Sequence, residues 1–204
     1  MSLEMILADA RSDAPLWVRA IHATLRGYCR YWQAAQIAPS TLPDHGPAIL
    51  VCNHISVLDP ILLVASNRRM ISFMIAQEYY DIPLLQPVLR ASGCIPVRRD
   101  GHDRAALRQA LAMLKAGRAV GVFPEGGIGR AGDFRAGVAW LIQQTQVPVV
   151  PARVENVHQH DADWRTYVSR QAPRLHYGAP QHFAADLDRA QISAQLQAAM
   201  AALA

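Results

Sequence analysis

His54 and Asp59 lie five residues apart in the stretch VCNHISVLDP, residues 51–60. An imidazole titrates near neutrality and can take a proton from an attacking hydroxyl, while a neighbouring carboxylate fixes which ring nitrogen is left to do so. On one continuous helix, a spacing of five would set the two side chains about 140° apart. Pairing therefore needs a strand that ends at His54, a turn, and a helix that starts near Pro60. The same residues have a purely structural reading, because aspartate before proline is a preferred helix N-cap and a strand-end histidine is often only hydrogen-bonded. Cys52 shares one side of an extended strand with His54. A thiolate nucleophile and ping-pong thioester chemistry are thus a second possibility, against the commoner reading of a buried strand thiol. His158 to Asp163, HQHDAD, reads as an exposed polar loop rather than a metal site, since no further ligand pattern accompanies it.

The elements needed to position such a pair are present. AILVCNH reads as a buried strand with a helix following from Pro60. MISFMIAQ, GCIPVRR, AVGVFPEGG and VPVVPARV supply four more strands. Between them stand a short helix in PLLQPVLRAS, one capped by Asp103 and stopped by Gly117, and one in DFRAGVAWLIQQT. DLDRAQISAQLQAAMAALA closes the chain as an alanine-rich helix. Strands alternating with helices predict an α/β single domain with a largely parallel, mixed sheet flanked by helices, whose ligands sit at the carboxyl ends of strands. Residues 155–180 carry no clear pattern.

Ahead of the sheet, Pro15 to Gln36 has helical periodicity. Trp17, Ile21, Leu25, Tyr28 and Trp32 fall within one arc of about 80°, with Arg19, Arg26 and Arg30 opposite. This N-terminal amphipathic helix either packs on the core or lies in a membrane interface with its aromatic face down.

The chain has 204 residues, 51% of them hydrophobic, enough for one domain with a sizeable core. No apolar run reaches the roughly 20 residues of a membrane span, and the N-terminus lacks the basic start and apolar middle of a signal peptide. Both features lead to an expected cytoplasmic location. Cys29, Cys52 and Cys94 are widely spaced and read as reduced thiols. A net charge of +4, nearly all arginine because Lys115 is the sole lysine, favours an anionic partner. Nothing resembles a nucleic-acid-binding motif, so no nucleic acid is expected.

Four blocks recur in order: N-H-x-S-x-x-D at Asn53, His54, Ser56 and Asp59; G-x-I-P-x-x-R at Gly93, Ile95, Pro96 and Arg99; F-P-E-G at Phe123 to Gly126; and V-P-V-V-P at Val147 to Pro151. Together they resemble the glycerolipid acyltransferase family, typified by 1-acylglycerol-3-phosphate acyltransferases, over roughly Ala48 to Val154. The resemblance implies an acyltransferase domain over 46–204, preceded by the amphipathic segment and link over 1–45. It implies His54 as general base and Asp59 as its orienting partner, with the acceptor hydroxyl attacking an acyl thioester directly. Asn53, Ser56, Arg99, Glu125, Gly126, Gly127 and Arg130 would then hold the substrate, with guanidinium on phosphate and glycine N–H groups near an anion or oxyanion.

The donor would be acyl-CoA or acyl-carrier protein, the acceptor a lysophospholipid, and no cofactor or metal is needed. Such a substrate resides in a bilayer, so the resemblance also implies an anionic membrane surface as partner, met from the cytoplasmic side by a peripheral or monotopic protein without a transmembrane span. Three departures bear on the acceptor. Gly127, Ile128 and Gly129 follow F-P-E-G where the family usually has Thr, Arg and Ser; Arg130 is therefore displaced; and Gln77 stands at the common lysine position. Either the loop bulges to bring Arg130 to phosphate, or Arg99 holds it with Arg98 beside. A lyso-aminolipid acceptor, or a non-catalytic lipid-binding module on the same fold, are the alternative readings.

Overall fold

The structure, a computed structural model, describes residues 16–98, 103–129, 136–160 and 163–203. In chain order the elements are α1 (Leu16–Gly27) running into a π-helical turn (Tyr28–Trp32), β1 (Gln36–Ile37), β2 (Ala48–Cys52), α2 (Asp59–Ser66), β3 (Ile71–Ala76), α3 (Gln77–Tyr80), α4 (Gln86–Ala91), β4 (Ile95–Val97), α5 (Arg104–Lys115), β5 (Ala119–Val122), α6 (Ala136–Thr145), β6 (Val149–Glu155), α7 (Asp163–Val168), β7 (Arg174–Tyr177) and α8 (Arg189–Ala201). The strands form one seven-stranded sheet in the order β1-β7-β6-β2-β5-β3-β4. All neighbours are parallel except β6 and β7. The expected α/β single domain with a largely parallel mixed sheet and a leading amphipathic helix is what the chain forms.

β2 lies at the centre because AILVC has no polar residue to give either face. Alternate side chains serve two cores. Ile49 and Val51 pack under α5, α6 and α8, against Leu114, Leu141 and Ile192. Leu50 and Cys52 pack on the other side, against Leu58, Leu62 and Leu63 and against Cys29 of the π turn. All five β2 residues are buried.

Two strands at one end of the sheet were not expected from the sequence. β1 lies within the stretch assigned to the link and pairs with β7. β7 lies in the stretch without a clear pattern and pairs antiparallel with β6 through Ala152–Tyr177.

Gly93, which opens the second block, has φ +70°, and a Cβ there would stand 2.8 Å from the Arg118 guanidinium. That guanidinium donates to Ser92 O at 2.7 Å. Gly93→Ala therefore forces a left-handed residue and displaces an anchored arginine. It is expected to cost about 1–3 kcal/mol and to lower the melting temperature by several degrees in a thermal scan.

Candidate active site

β2 ends at Cys52, and the chain turns at His54 to enter α2. Nδ1 of His54 meets Asp59 Oδ2 at 2.9 Å. The same oxygen accepts the main-chain N–H groups of Ile55 at 2.7 Å and Ser56 at 2.8 Å. Asp59 is the first residue of α2, whose N-cap position is Leu58 with no side-chain cap. Asp59 thus folds back to organise the turn before the helix, and the capping reading of this aspartate does not describe it. Its side chain is fully buried while that of His54 is 18% exposed. Among the described residues Asp59 Oδ1 has no hydrogen-bond partner. Burial pushes its carboxyl pKa up, against the hydrogen bond from His54 and the N–H groups of Ser56 and Ile55.

The third block closes over this turn. Glu125 Oε2 accepts the main-chain N–H of His54 at 3.0 Å, and Gly129 N–H donates to His54 O at 3.0 Å. Both main-chain polar groups of the histidine are therefore held by the F-P-E-G loop and its departing continuation. Glu125 is half-buried, and desolvation raises its pKa while the His54 N–H draws it down.

Phe123 stacks on the imidazole, centroids 4.2 Å apart and planes at 21°. Phe73 stacks in turn on Phe123 at 6.0 Å. Gly121 makes room for this column, since a Cβ there would run into the Phe73 ring. Three contacts thus set the imidazole: Asp59 at one edge, Phe123 on one face, and a clamped backbone. Nε2 has no hydrogen-bond partner among the described residues, so it is the ring nitrogen left for proton transfer.

The remaining candidates take varied places. Asn53 closes a two-way amide clamp on β6, donating to Val154 O at 2.9 Å and accepting from Val154 N at 2.8 Å. Ser56 is fully buried, and its Oγ accepts Leu58 N–H at 3.2 Å. Gly126 N–H donates to Phe123 O at 3.1 Å, which places it in the loop's own hydrogen bonding. Gly127 lies in the same turn. Arg99 and Arg130 lie outside the described residues.

Two residues that sequence reasoning missed belong to the site's support. Phe123 was quoted only as the first letter of a motif. Gln159, inside the stretch HQHDAD, accepts Val57 N–H at 3.0 Å and donates to Asp163 Oδ1 at 3.0 Å. The motif letter was the one signal for Phe123; nothing local marks Gln159.

Cys52 is no nucleophile in this arrangement. It is fully buried, and burial first, then the Asp59 and Glu125 carboxylates, push its thiol well above the ordinary range. Burial takes Cys29 up to about 12 and Cys94 up to about 11. All three thiols are expected to resist iodoacetamide at pH 8 in the native protein and to react after denaturation, as read by mass spectrometry. Because the raised values belong to the folded state, unfolded thiols ionise first as pH climbs past about 9, so stability should fall there.

Residues 36–155 match the protein family described as Acyltransferase, over more than half of the chain. The chain belongs to that family. Among curated proteins, this acyltransferase-family chain is 25% identical over 161 residues to the 1-acyl-sn-glycerol-3-phosphate acyltransferase of Borreliella burgdorferi, covering 76% of this chain and 60% of that protein. It is 33% identical over 110 residues to the chloroplastic 1-acyl-sn-glycerol-3-phosphate acyltransferase LPAT1 of Arabidopsis thaliana, covering 52% of this chain and 31% of the other. The chain therefore spans between 31% and 60% of these relatives' length. Among solved structures, the 1-acyl-sn-glycerophosphate (LPA) acyltransferase PlsC of Thermotoga maritima superposes with a TM-score of 0.72 over 92% of this chain and 78% of that one, at 19% identity. That likeness carries the fold.

Proposed function

We propose that this chain moves a fatty acyl group from an acyl thioester, acyl-CoA or acyl-carrier protein, to the hydroxyl of a lysophospholipid such as 1-acylglycerol-3-phosphate. The observation that carries the reading is the His54–Asp59 pair at the carboxyl end of the central strand, with Nδ1 engaged and Nε2 open. The acceptor hydroxyl gives its proton to Nε2 as its oxygen attacks the thioester carbonyl carbon. The C–S bond then breaks, and the imidazolium returns the proton to the leaving thiolate. The Asp59 carboxylate holds the tautomer and offsets the charge that the ring gains.

Asn53, Ser56 and Glu125 act in this scheme by positioning. They tie the histidine turn to β6, to itself and to the third block, in place of the direct substrate contacts expected of them. For Glu125, a contact with the acceptor would rest on its second oxygen. Arg99 and Arg130 are assigned to the acceptor phosphate, whose geometry suits guanidinium, and Gly127 to the developing oxyanion. No helix among the described residues is long and apolar enough to cross a membrane. The proposed encounter with lipid is peripheral, from the cytoplasmic side, through the aromatic face of α1. Trp17 of α1 and Trp32 of the π turn that follows it are 44% and 53% exposed. The arginine side is not wholly turned to headgroups, since Arg26 donates inward to Asn67 O at 2.8 Å.

The test is mass spectrometry of products from a panel of lysolipids, including lysophosphatidic acid and a lyso-aminolipid, offered with both donors. Free CoA or carrier thiol released only when a lysolipid is present supports transfer. Lipid binding without any release would leave a non-catalytic lipid-binding module.

A further inference from the structure

α7 presents apolar side chains where a short surface helix would ordinarily present polar ones. Thr166 points inward and is fully buried, while Trp164, Tyr167 and Val168 are 65%, 36% and 54% exposed. The helix is joined to the end of the N-terminal segment by three hydrogen bonds, Tyr28 Oη to Tyr167 O at 2.6 Å, Gln33 Nε2 to Tyr167 O at 3.2 Å and Trp32 Nε1 to Val168 O at 3.2 Å. On its other flank Tyr79 Oη donates to Asp163 Oδ2 at 3.3 Å. Just beyond α3 stand Ile82, Leu84 and Leu85, which are 39%, 88% and 44% exposed. Three segments far apart in sequence therefore contribute to one run of exposed apolar groups.

The composition of this run selects its occupant. Of the four tryptophans in the chain, Trp32 and Trp164 stand exposed on it and Trp17 is exposed on α1, and Trp140 alone packs against a core. Tryptophan and tyrosine, apolar in body with a polar tip, favour the boundary between acyl chains and headgroups. Arg30, Arg165 and Arg170 are exposed beside them, complementary to anionic headgroups. The acid of the 82–85 flank, Asp81, is engaged by Gln77 Nε2 at 2.7 Å. Gln159, bonded to Val57 N and to Asp163 of α7, puts the catalytic turn two hydrogen bonds from this face.

We infer that α7 and residues 82–85 form a second bilayer-contact face, continuous with that of α1, so that lipid borders the His54 turn and the acceptor reaches it from the membrane plane. The inference rests on the proposed membrane encounter of α1 and extends it to elements that no motif marks.

Two single-tryptophan proteins separate the two claims: one keeps Trp164 and the other Trp17, the remaining tryptophans being replaced by phenylalanine. Each is bound to vesicles of phosphatidylethanolamine and phosphatidylglycerol, with or without phospholipid brominated at an upper acyl position. Interfacial side chains sit about 5–10 Å into the headgroup boundary, so bromine is expected to quench Trp164 emission about twofold. Quenching of Trp17 but not Trp164 overturns the second face and leaves the α1 dock standing. Quenching of neither overturns both. In the otherwise unchanged chain, Trp164→Ser is expected to weaken vesicle partitioning about tenfold. If that variant instead converts a sedimenting dimer to monomer, a second copy of the chain covers α7 and the lipid assignment is overturned.

Discussion

His54→Ala is expected to lower turnover by about 10²-fold or more, the contribution of a positioned general base, while the protein stays folded. The structure accounts for both halves. The imidazole supplies the open Nε2, and its main-chain groups remain held by Glu125 and Gly129 after truncation. Asp59 Oδ2 keeps the Ile55 and Ser56 N–H groups as partners. The structural loss is chiefly the stacking on Phe123, worth about 0.5–1.5 kcal/mol, so the melting temperature should fall by only a few degrees. Steady-state kinetics and a thermal melt on the same preparation check this. A folded variant with near-normal transfer would remove His54 from the chemistry.

The second large effect separates the two roles of Asp59. In Asp59→Asn, the amide oxygen can occupy the place of Oδ2 and accept the same three donors, and the amide nitrogen falls where Oδ1 stands without a partner. Geometry survives and the negative charge does not. The imidazolium formed on proton pickup loses its counter-charge, and turnover is expected to fall on the order of 10²-fold. Stability should hold or rise, because the buried carboxylate, with its pKa raised mainly by desolvation, is a cost of the folded state at neutral pH. The sign follows from the proton count. Between the ordinary carboxyl value and the raised one, the native protein binds the proton and the unfolded chain does not, so this group's contribution to stability grows as pH falls through that window. Asp59→Ala should behave differently. It leaves the Ile55 and Ser56 N–H groups buried without an acceptor, at about 1–3 kcal/mol each, and should lose stability as well as activity. Equal melting behaviour of the two variants would show that Asp59 does not hold the turn.

The His54–Asp59 pair could be read from the chain because its partners are five residues apart and flanked by a strand pattern and a proline. The same holds for the five strands β2 to β6, whose apolar runs are nearly continuous because the sheet is covered on both faces. What escaped reading is non-local. The amide clamp of Asn53 joins residues 101 apart, and the Gln159 contact spans 102. Neither polar side chain carries a local sign of its partner. β1 has two residues and β7 four. Strands this short show neither the length nor the alternation that marks a strand. The arc of α1 was predicted for a straight helix, but the π turn at Tyr28–Trp32 shifts the phase, and Cys29 and Gln33 become the buried positions.

Gln33 has a consequence for how this protein could be handled. Fully buried, it donates to Tyr28 Oη and Tyr167 O. It also accepts from Gln171 N through its side chain and from Ala172 N through its main chain. The chain's beginning is thereby stitched to its last quarter by a buried polar knot, beside the Cys29 thiol that fills the core under β2. The segment proposed to face lipid is consequently no detachable anchor. Cutting it away in search of a detergent-free catalytic fragment would unpick the sheet edge that β1 and β7 share, so solubility has to be sought by repainting the outward aromatics and leaving the backbone whole.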